Sequence, residues 1–199
     1  MRNLRTGFAE KIRGRMERNE IRRLAVFALA PIPLLIELGR LLSDISTAEV
    51  RQLLRAPKGW KWDLTSPPVQ FSVARPSSQG RQVALKLEVS AAIVDERVTA
   101  ALGADVAIWS ITAAAAHNDI IRRPDDVAGF ARIFRTTLDA IKNAHGENTT
   151  VHLFPAVPVS AAVEAGRSWQ PKAHPTLRIY DQNRKLGGFI PVHDLKQIG

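Results

Sequence analysis

Cysteine is absent from this 199-residue chain. Disulfides, thiolate nucleophiles and sulfur-liganded zinc are therefore excluded, and the composition suits a reducing compartment. Aromatic residues are scarce, at 6% with a single tyrosine. Long apolar runs are missing as well. The longest, Leu24 to Ile36, is interrupted by Pro31 and Pro33. It falls short of the roughly 20 residues a membrane span needs, and no small-residue cleavage site follows it. The expectation is a cytoplasmic protein with no membrane association. The common catalytic signatures are missing together. No two glycines are separated by one residue, and there is no phosphate-binding loop ending in Gly-Lys-Ser/Thr and no Gly-x-Ser-x-Gly elbow. The five histidines (117, 145, 152, 174, 193) are scattered, with no His-x-x-x-His pair to hold a metal. Asp194-Leu195-Lys196 echoes the Asp/Glu-x-Lys tail of a nuclease core, but the match is too short to carry weight. No enzyme, metal site or cofactor is expected.

The charge that is present has one dominant sign. Twenty-eight Lys and Arg against nineteen Asp and Glu give a net +9. Residues 1–23 hold eight of the basic residues and three of the acidic ones, a head of +5, and the rest of the chain carries 20 − 16 = +4. Such a balance suits an anionic partner: nucleic acid, a nucleotide or an acidic surface. The length fits one ordinary domain. Residues 1–22 read as a basic helix with one thin apolar stripe (Leu4, Phe8, Ile12, Met16), which docks on its own domain or on a partner. Residues 23–199 read as the domain itself.

Within that domain, Leu24–Ala30 is a continuous apolar run, as a strand buried on both faces would be. Pro31 and Pro33 end it, and residues 33–43 read as a helix. Residues 44–68 are loop-like. Val69–Arg75 and Gln82–Ser90 both alternate, the second with Lys86 and Glu88 outward, and the turn at residues 77–80 suggests a hairpin. A short helix over 94–102 closes at Gly103. Val106–Thr112 is a second buried strand, followed by a loop to Arg123 and a helix capped by Asp125 that runs to about Lys142. Thr150–Phe154 is a third strand, broken by Pro155 and Pro158, with a helix over 159–166. Two closing strands, 176–181 and 188–193, flank a polar turn around Asn183. The alternation predicts an α/β, Rossmann-like fold with a mixed, partly parallel sheet flanked by helices.

Three turns follow buried strands: Ala30–Pro33, Thr112–Asn118 and Pro155–Ser160. In open α/β sheets such turns line the ligand crevice. Small residues admit a ligand close to the backbone, and amides at helix starts suit phosphate oxygens. His117, Asn118 and Ser160 would add polar contacts. Taken singly, each turn reads better as a tight packing loop; three of them at strand ends point to a ligand crevice. The pair Trp60 and Trp62, beside Lys58 and Lys61, either stacks nucleobases or anchors its loop on the core. Trp109 reads as core, while Trp169 and Tyr180 are open.

Residues 26–44 (VFALAPIPLLIELGRLLSD), Trp60-x-Trp62, residues 151–167 (VHLFPAVPVSAAVEAGR) and residues 175–183 (PTLRIYDQN) together resemble, in this order, the SAVED domain ("SMODS-associated and fused to various effectors"). The resemblance spans roughly residues 22–195. It implies a fold akin to the CARF sensors of type III CRISPR systems. It also implies binding of a cyclic tri- or tetranucleotide in antiphage defence of the CBASS or CRISPR kind, with oligomerisation switching on an effector. On that resemblance Pro31, Ile32, Pro33, Leu34, Thr112, Ala113, His117, Asn118, Ala156, Val157 and Ser160 are pocket candidates, with Lys61 added from the tryptophan loop. Many such sensors join two CARF-like halves, and this chain is long enough for one. A second sensor subunit or an effector is the expected partner, attached through residues 1–22. The competing readings are a subunit that docks an effector and binds nothing small, or a weak ring nuclease using His117 or the Asp and Lys groups.

Overall fold

The structure, a computed structural model, describes residues 1–197 except 44, 46, 184 and 186. Asp44, at the end of the first family-like run, and residues 184 and 186 of the polar turn near Asn183 thus lie outside the described residues.

The basic head forms α1 (Arg2–Phe8), a π-helical stretch (Ala9–Arg13) and α2 (Gly14–Glu17). Its stripe was spaced by fours, and each step of four drifts about 40° around an α-helix. The wider π turn takes up part of that drift, so Leu4, Phe8, Ile12 and Met16 all turn away from solvent, Phe8 being buried. The stripe is spent on the chain's own body, where Phe8 and Ile12 join the main core. Asn19, at φ 57°, ends the segment.

β1 (Leu24–Val26) pairs in parallel with β2 (Ala48–Val50), and α3 (Ile32–Leu41) lies between them in sequence. The expected long buried strand is thus three residues long, and Phe27 and Leu29 beyond it are 56% and 66% exposed. The apolar run did not mark burial on both faces, because this pair stands outside the main sheet. The loop-like stretch also holds a small ribbon, β3 (Leu54–Arg55) against β4 (Lys58–Gly59).

The remaining strands are β5 (Phe71–Ala74), β6 (Gln82–Glu88), β7 (Val106–Ala113), β8 (Thr150–Ala156), β9 (Thr176–Asn183) and β10 (Gly188–Leu195). They form one sheet in the order β10-β9-β8-β6-β7-β5. The inner four run parallel, and β5 and β10 are antiparallel edges. The expected hairpin is therefore incorrect: β5 pairs with β7, and β6 is the central strand. Lys86 and Glu88, expected outward, are buried. Lys86 Nζ lies 3.4 Å from Glu88 and 2.8 Å from Asp95, and it donates to the Ile93 carbonyl at 2.8 Å. A polar alternation in a covered central strand thus reads like an amphipathic edge until its partners are known.

α5 (Pro124–His145) and α6 (Val159–Ser168), with α3, cover one face of the sheet. α5 presents Phe130, Phe134, Leu138 and Ile141 to Val83, Leu85, Leu87 and Trp109. The cap of α5 is Arg123, not Asp125, and it is Asp126 that reaches back to the cap amide. α4 (Asp95–Leu102) covers part of the other face, where Val98 packs with Ala84, Phe154 and Tyr180. α3 and α6 cross backbone to backbone: a Cβ on Gly39 would strike the Val163 carbonyl, and one on Gly166 the Ile36 carbonyl. Pro155 does not break β8, which continues to Ala156. Trp169 is buried and donates to the Pro175 carbonyl at 2.8 Å. Tyr180 is buried, its hydroxyl 2.9 Å from His152 Nδ1.

Candidate functional site

The chain leaves the central strands in opposite directions. From β6 it turns to α4 on one face, while β7 and β8, on either side of β6, lead to α5 and α6 on the other. This is the switch point at which open α/β sheets hold ligands, outside the carboxyl ends of the strands. β7 and β8 stand two strand spacings apart, about 10 Å. Their exits carry small side chains. Ala114, Ala115, Ala116, His117 and Asn118 are all exposed after β7, as are Ala91 and Ala92 after β6. The β6 exit is pinned by the Val89 and Ser90 amides, which donate to the Ala156 carbonyl at 3.0 and 2.8 Å. Serine and two alanines after a strand are the same signal as the other turns. The hairpin reading of residues 82–90 hides that signal.

α3 brings the first turn to the same edge. Glu37 meets His193, and Ser43, further along, shares a cavity with Leu195, which pairs with Leu177 near the amino end of β9. α3 therefore starts toward the carboxyl edge. Of the residues proposed there, Pro31 is exposed, Ile32 and Leu34 are half-buried and Pro33 is buried. Thr112 is half-buried, with its hydroxyl 2.7 Å from that of Ser72. Ala113 and Val157 are buried, and Ala156 is half-buried. His117 Nδ1 accepts the Asp119 amide at 3.2 Å, leaving its other nitrogen at the surface. Lys61 is exposed. Ser160 is fully buried, and its amide and hydroxyl both donate to Gln52 Oε1, at 3.0 and 2.8 Å. The polar atoms at the start of α6 are thus spent inside the chain, not offered to a ligand.

Gln52 belongs to a clamp that spacing could not have revealed. The loop 50–70 is tied over the carboxyl edge by groups far away in sequence. Asp119 accepts the amides of Arg55 and Ala56 at 2.8 and 3.1 Å. Arg122 donates to the Ala56 carbonyl at 2.8 Å. Buried Asp126 accepts the amides of Val69, Arg122 and Arg123. Asp63 accepts from Thr65 and Ser66, whose hydrogen bonds hold its carboxyl well below the usual range. The tryptophan pair divides between its two readings. Trp62 packs on the core with Arg51 5.9 Å above its ring, whereas Trp60 turns to the exposed Phe27, edge to face at 5.2 Å.

A cavity of about 930 Å³ lies elsewhere, between the basic head and β10. Two of its arginines, Arg5 and Arg40, are committed to Glu37, which also takes His193 at 2.9 Å. Burial pushes the Glu37 carboxyl up, and the hydrogen bonds from His193, Arg40 and Arg5 outweigh it and hold the group ionised. This is a docking joint for the head. Asp194, part of the nuclease-like echo, is paired twice with Arg178 at 3.0 Å. Among the described residues no group of three His, Cys, Asp or Glu could hold a metal ion, and no helix is long and apolar enough to cross a membrane.

The model of the SAVED family, the "SMODS-associated and fused to various effectors" sensor domain, matches residues 4–195. The chain belongs to the SAVED family. No curated protein sequence matches it. Solved structures of the Acinetobacter baumannii Cap4 SAVED/CARF-domain receptor share the fold. One superposes with a TM-score of 0.59 at 16% identity, over 88% of this chain and 36% of the receptor. The receptor with the cyclic trinucleotide 2'3'3'-cAAA gives 0.63 at 14%, over 88% and 38%. The receptor with 3'3'3'-cAAA gives 0.59 at 13%, over 88% and 39%. This SAVED chain thus spans less than two-fifths of the Cap4 chains it matches.

Proposed function

We propose that this chain is a sensor for a cyclic oligonucleotide, held at the carboxyl edge of the sheet and bound without chemistry on it. The switch point at β6, lined by small exposed residues after β6 and β7, carries the reading. It offers backbone at close range to a flat, multiply charged ring, with Lys61 nearby to meet phosphate. Membership of a sensor family and the cyclic trinucleotides carried by the Cap4 structures support it. Pro31, Ile32 and Leu34 contribute one wall. Thr112, His117 and Asn118 contribute the opposite wall, and Ala156 the floor. Pro33, Ala113 and Val157 shape the site from beneath, and Ser160 acts through Gln52. The ligand is a cyclic tri- or tetranucleotide, and binding drives assembly with a second sensor subunit or an effector in the cytoplasm, in CBASS or CRISPR-type defence.

The test is a thermal-shift and calorimetric screen of the full chain against cyclic di-, tri- and tetranucleotides. A ligand at 100 times its Kd stabilises by about 2.7 kcal/mol, which is about 5 °C or more for a chain of this size. Asn118→Ala and Lys61→Ala weaken that ligand and leave the unliganded Tm unchanged. A flat screen overturns the reading. Ligand recovered as linear product would assign hydrolysis to the site, with His117 the first residue to replace.

A further inference from the structure

We propose that Phe27 and Trp60 form a stacking platform for one purine base of the bound oligonucleotide. The inference rests on the reading that such a ligand sits at the carboxyl edge, and it adds the element that selects among bases.

Phe27 is a large apolar side chain left 56% exposed, and Leu29 two residues on is 66% exposed. Both belong to the strand-to-helix passage that ends in the Pro31 turn. The Trp60 ring meets Phe27 edge to face, 5.2 Å between centroids and 86° between planes. A pair of that geometry covers one face of one ring only and leaves aromatic surface for a third ring. Trp60 is half-buried, and among the described residues neither ring belongs to either apolar core cluster.

Trp60 is not on a free loop. It follows β4, whose ribbon is fixed by the two amide bonds to Asp119 and by Arg122 on the Ala56 carbonyl. Asp119 lies six residues beyond the end of β7, in the same exit loop that displays His117 and Asn118. The ribbon therefore joins the first turn, through Phe27, to the second, through Asp119, and places the aromatic pair on the rim of the opening. The platform is held in place before any ligand arrives, so little ordering is needed on binding. Lys58 and Lys61 flank Trp60, both exposed, and neither makes an ion pair among the described residues. An aromatic face with unpaired ammonium groups on either side matches a base with phosphates on either side. A hydrophobic peptide would use the rings but not the lysines.

The experiment measures calorimetric affinity and tryptophan fluorescence with 2'3'3'-cAAA, 3'3'3'-cAAA and an all-pyrimidine cyclic trinucleotide, on the wild-type chain, Trp60→Leu, Trp60→Phe and Phe27→Leu. Expected are tighter binding of an adenine ring than of the pyrimidine ring, a ten- to hundredfold loss for Trp60→Leu, a smaller loss for Phe27→Leu, and substantial recovery with Trp60→Phe. Fluorescence quenching on binding should vanish in Trp60→Leu, and unliganded Tm values should stay within about 2 °C, since neither ring supports the core. Wild-type binding with Trp60→Leu within twofold of it overturns the platform and leaves the sensor reading standing. No binding by the wild-type chain overturns both.

Discussion

Gln52 is 3% exposed, and its carboxamide makes three hydrogen bonds, two of them at the start of α6. Its oxygen takes the amide and the hydroxyl of Ser160, and its nitrogen gives to the Leu53 carbonyl at 2.9 Å. Gln52→Leu keeps the volume and removes all three. Ser160 has no exposed surface, so its two donors would be left without water. Each stranded buried group costs about 1–3 kcal/mol. The hydroxyl can rotate toward another acceptor, so the total belongs in the lower half of the combined range of about 2–6 kcal/mol, at about 3 kcal/mol. For a chain of about 200 residues each kcal/mol moves Tm by about 2–4 °C, so a fall of about 6–12 °C is expected by differential scanning calorimetry. Ser160→Ala removes one of those donors and keeps the amide bond, and should cost about 1 kcal/mol. In the double variant the missing hydroxyl can no longer be stranded, so the two effects should fall short of additivity by 0.5 kcal/mol or more. A Tm for Gln52→Leu within 1 °C of wild type, or strict additivity, would refute the clamp. The same variant should weaken cyclic oligonucleotide binding, because loop 50–70 carries Lys61 and Trp60.

Gly166→Ala should destabilise by about 1–3 kcal/mol or prevent folding, because the added methyl meets the rigid Ile36 and Arg40 backbone. Gly129→Ala is the internal control: its methyl would meet the Phe71 ring at an ordinary 3.7 Å, and helix propensity should make it neutral or stabilising by up to about 1 kcal/mol in urea titrations. Acid should act in two stages. Burial lowers the pKa of His145, His152 and His174 below the usual 6.5, so the unfolded chain takes up protons first and stability falls as pH drops below 6.5. Glu37, held below its usual 4.5, contributes stability that is full above 4.5 and is lost as pH falls further. Tm measured from pH 8 to 3 should show both declines, and Glu37→Gln should shrink the second, to which Asp63 and Asp194, also held below their usual range, contribute the remainder; a Tm flat between pH 7 and 5 would dismiss the histidine stage.

What could be read from the chain alone was whatever local chemistry dictates. The stripe of the head helix, the face of α5, the stops at Gly103 and Gly146 with φ of 88° and 90°, and the buried strands β7 and β8 are all properties of short windows. The α/β class followed from them, and the family resemblance supplied the fold it belongs to. What stayed hidden is set by pairing between distant residues. Gln82–Ser90 has the same polar–apolar alternation whether it is an edge hairpin or a covered central strand. Pairing with β7 on one side and β8 on the other makes it central, and Asp95 and the Ile93 carbonyl, which receive Lys86, let its lysine be buried there.

That one misreading carried through to the site. With β6 taken as an edge, its exit at Ser90–Ala92 did not count among the strand-end turns, although it sits at the centre of the opening. Ser160 erred in the opposite direction. A serine at a helix start is the ordinary anion-facing residue, but Gln52, 108 positions away, takes both of its donors. A polar residue at a helix start is available to a ligand only if no distant side chain has reached it first. Here the loop that consumed it also delivers Trp60 and Lys61 to the rim. The helix-start contact has in effect been exchanged for a rigid arm over the opening, and for that reason the Gln52 variant should change affinity as well as stability.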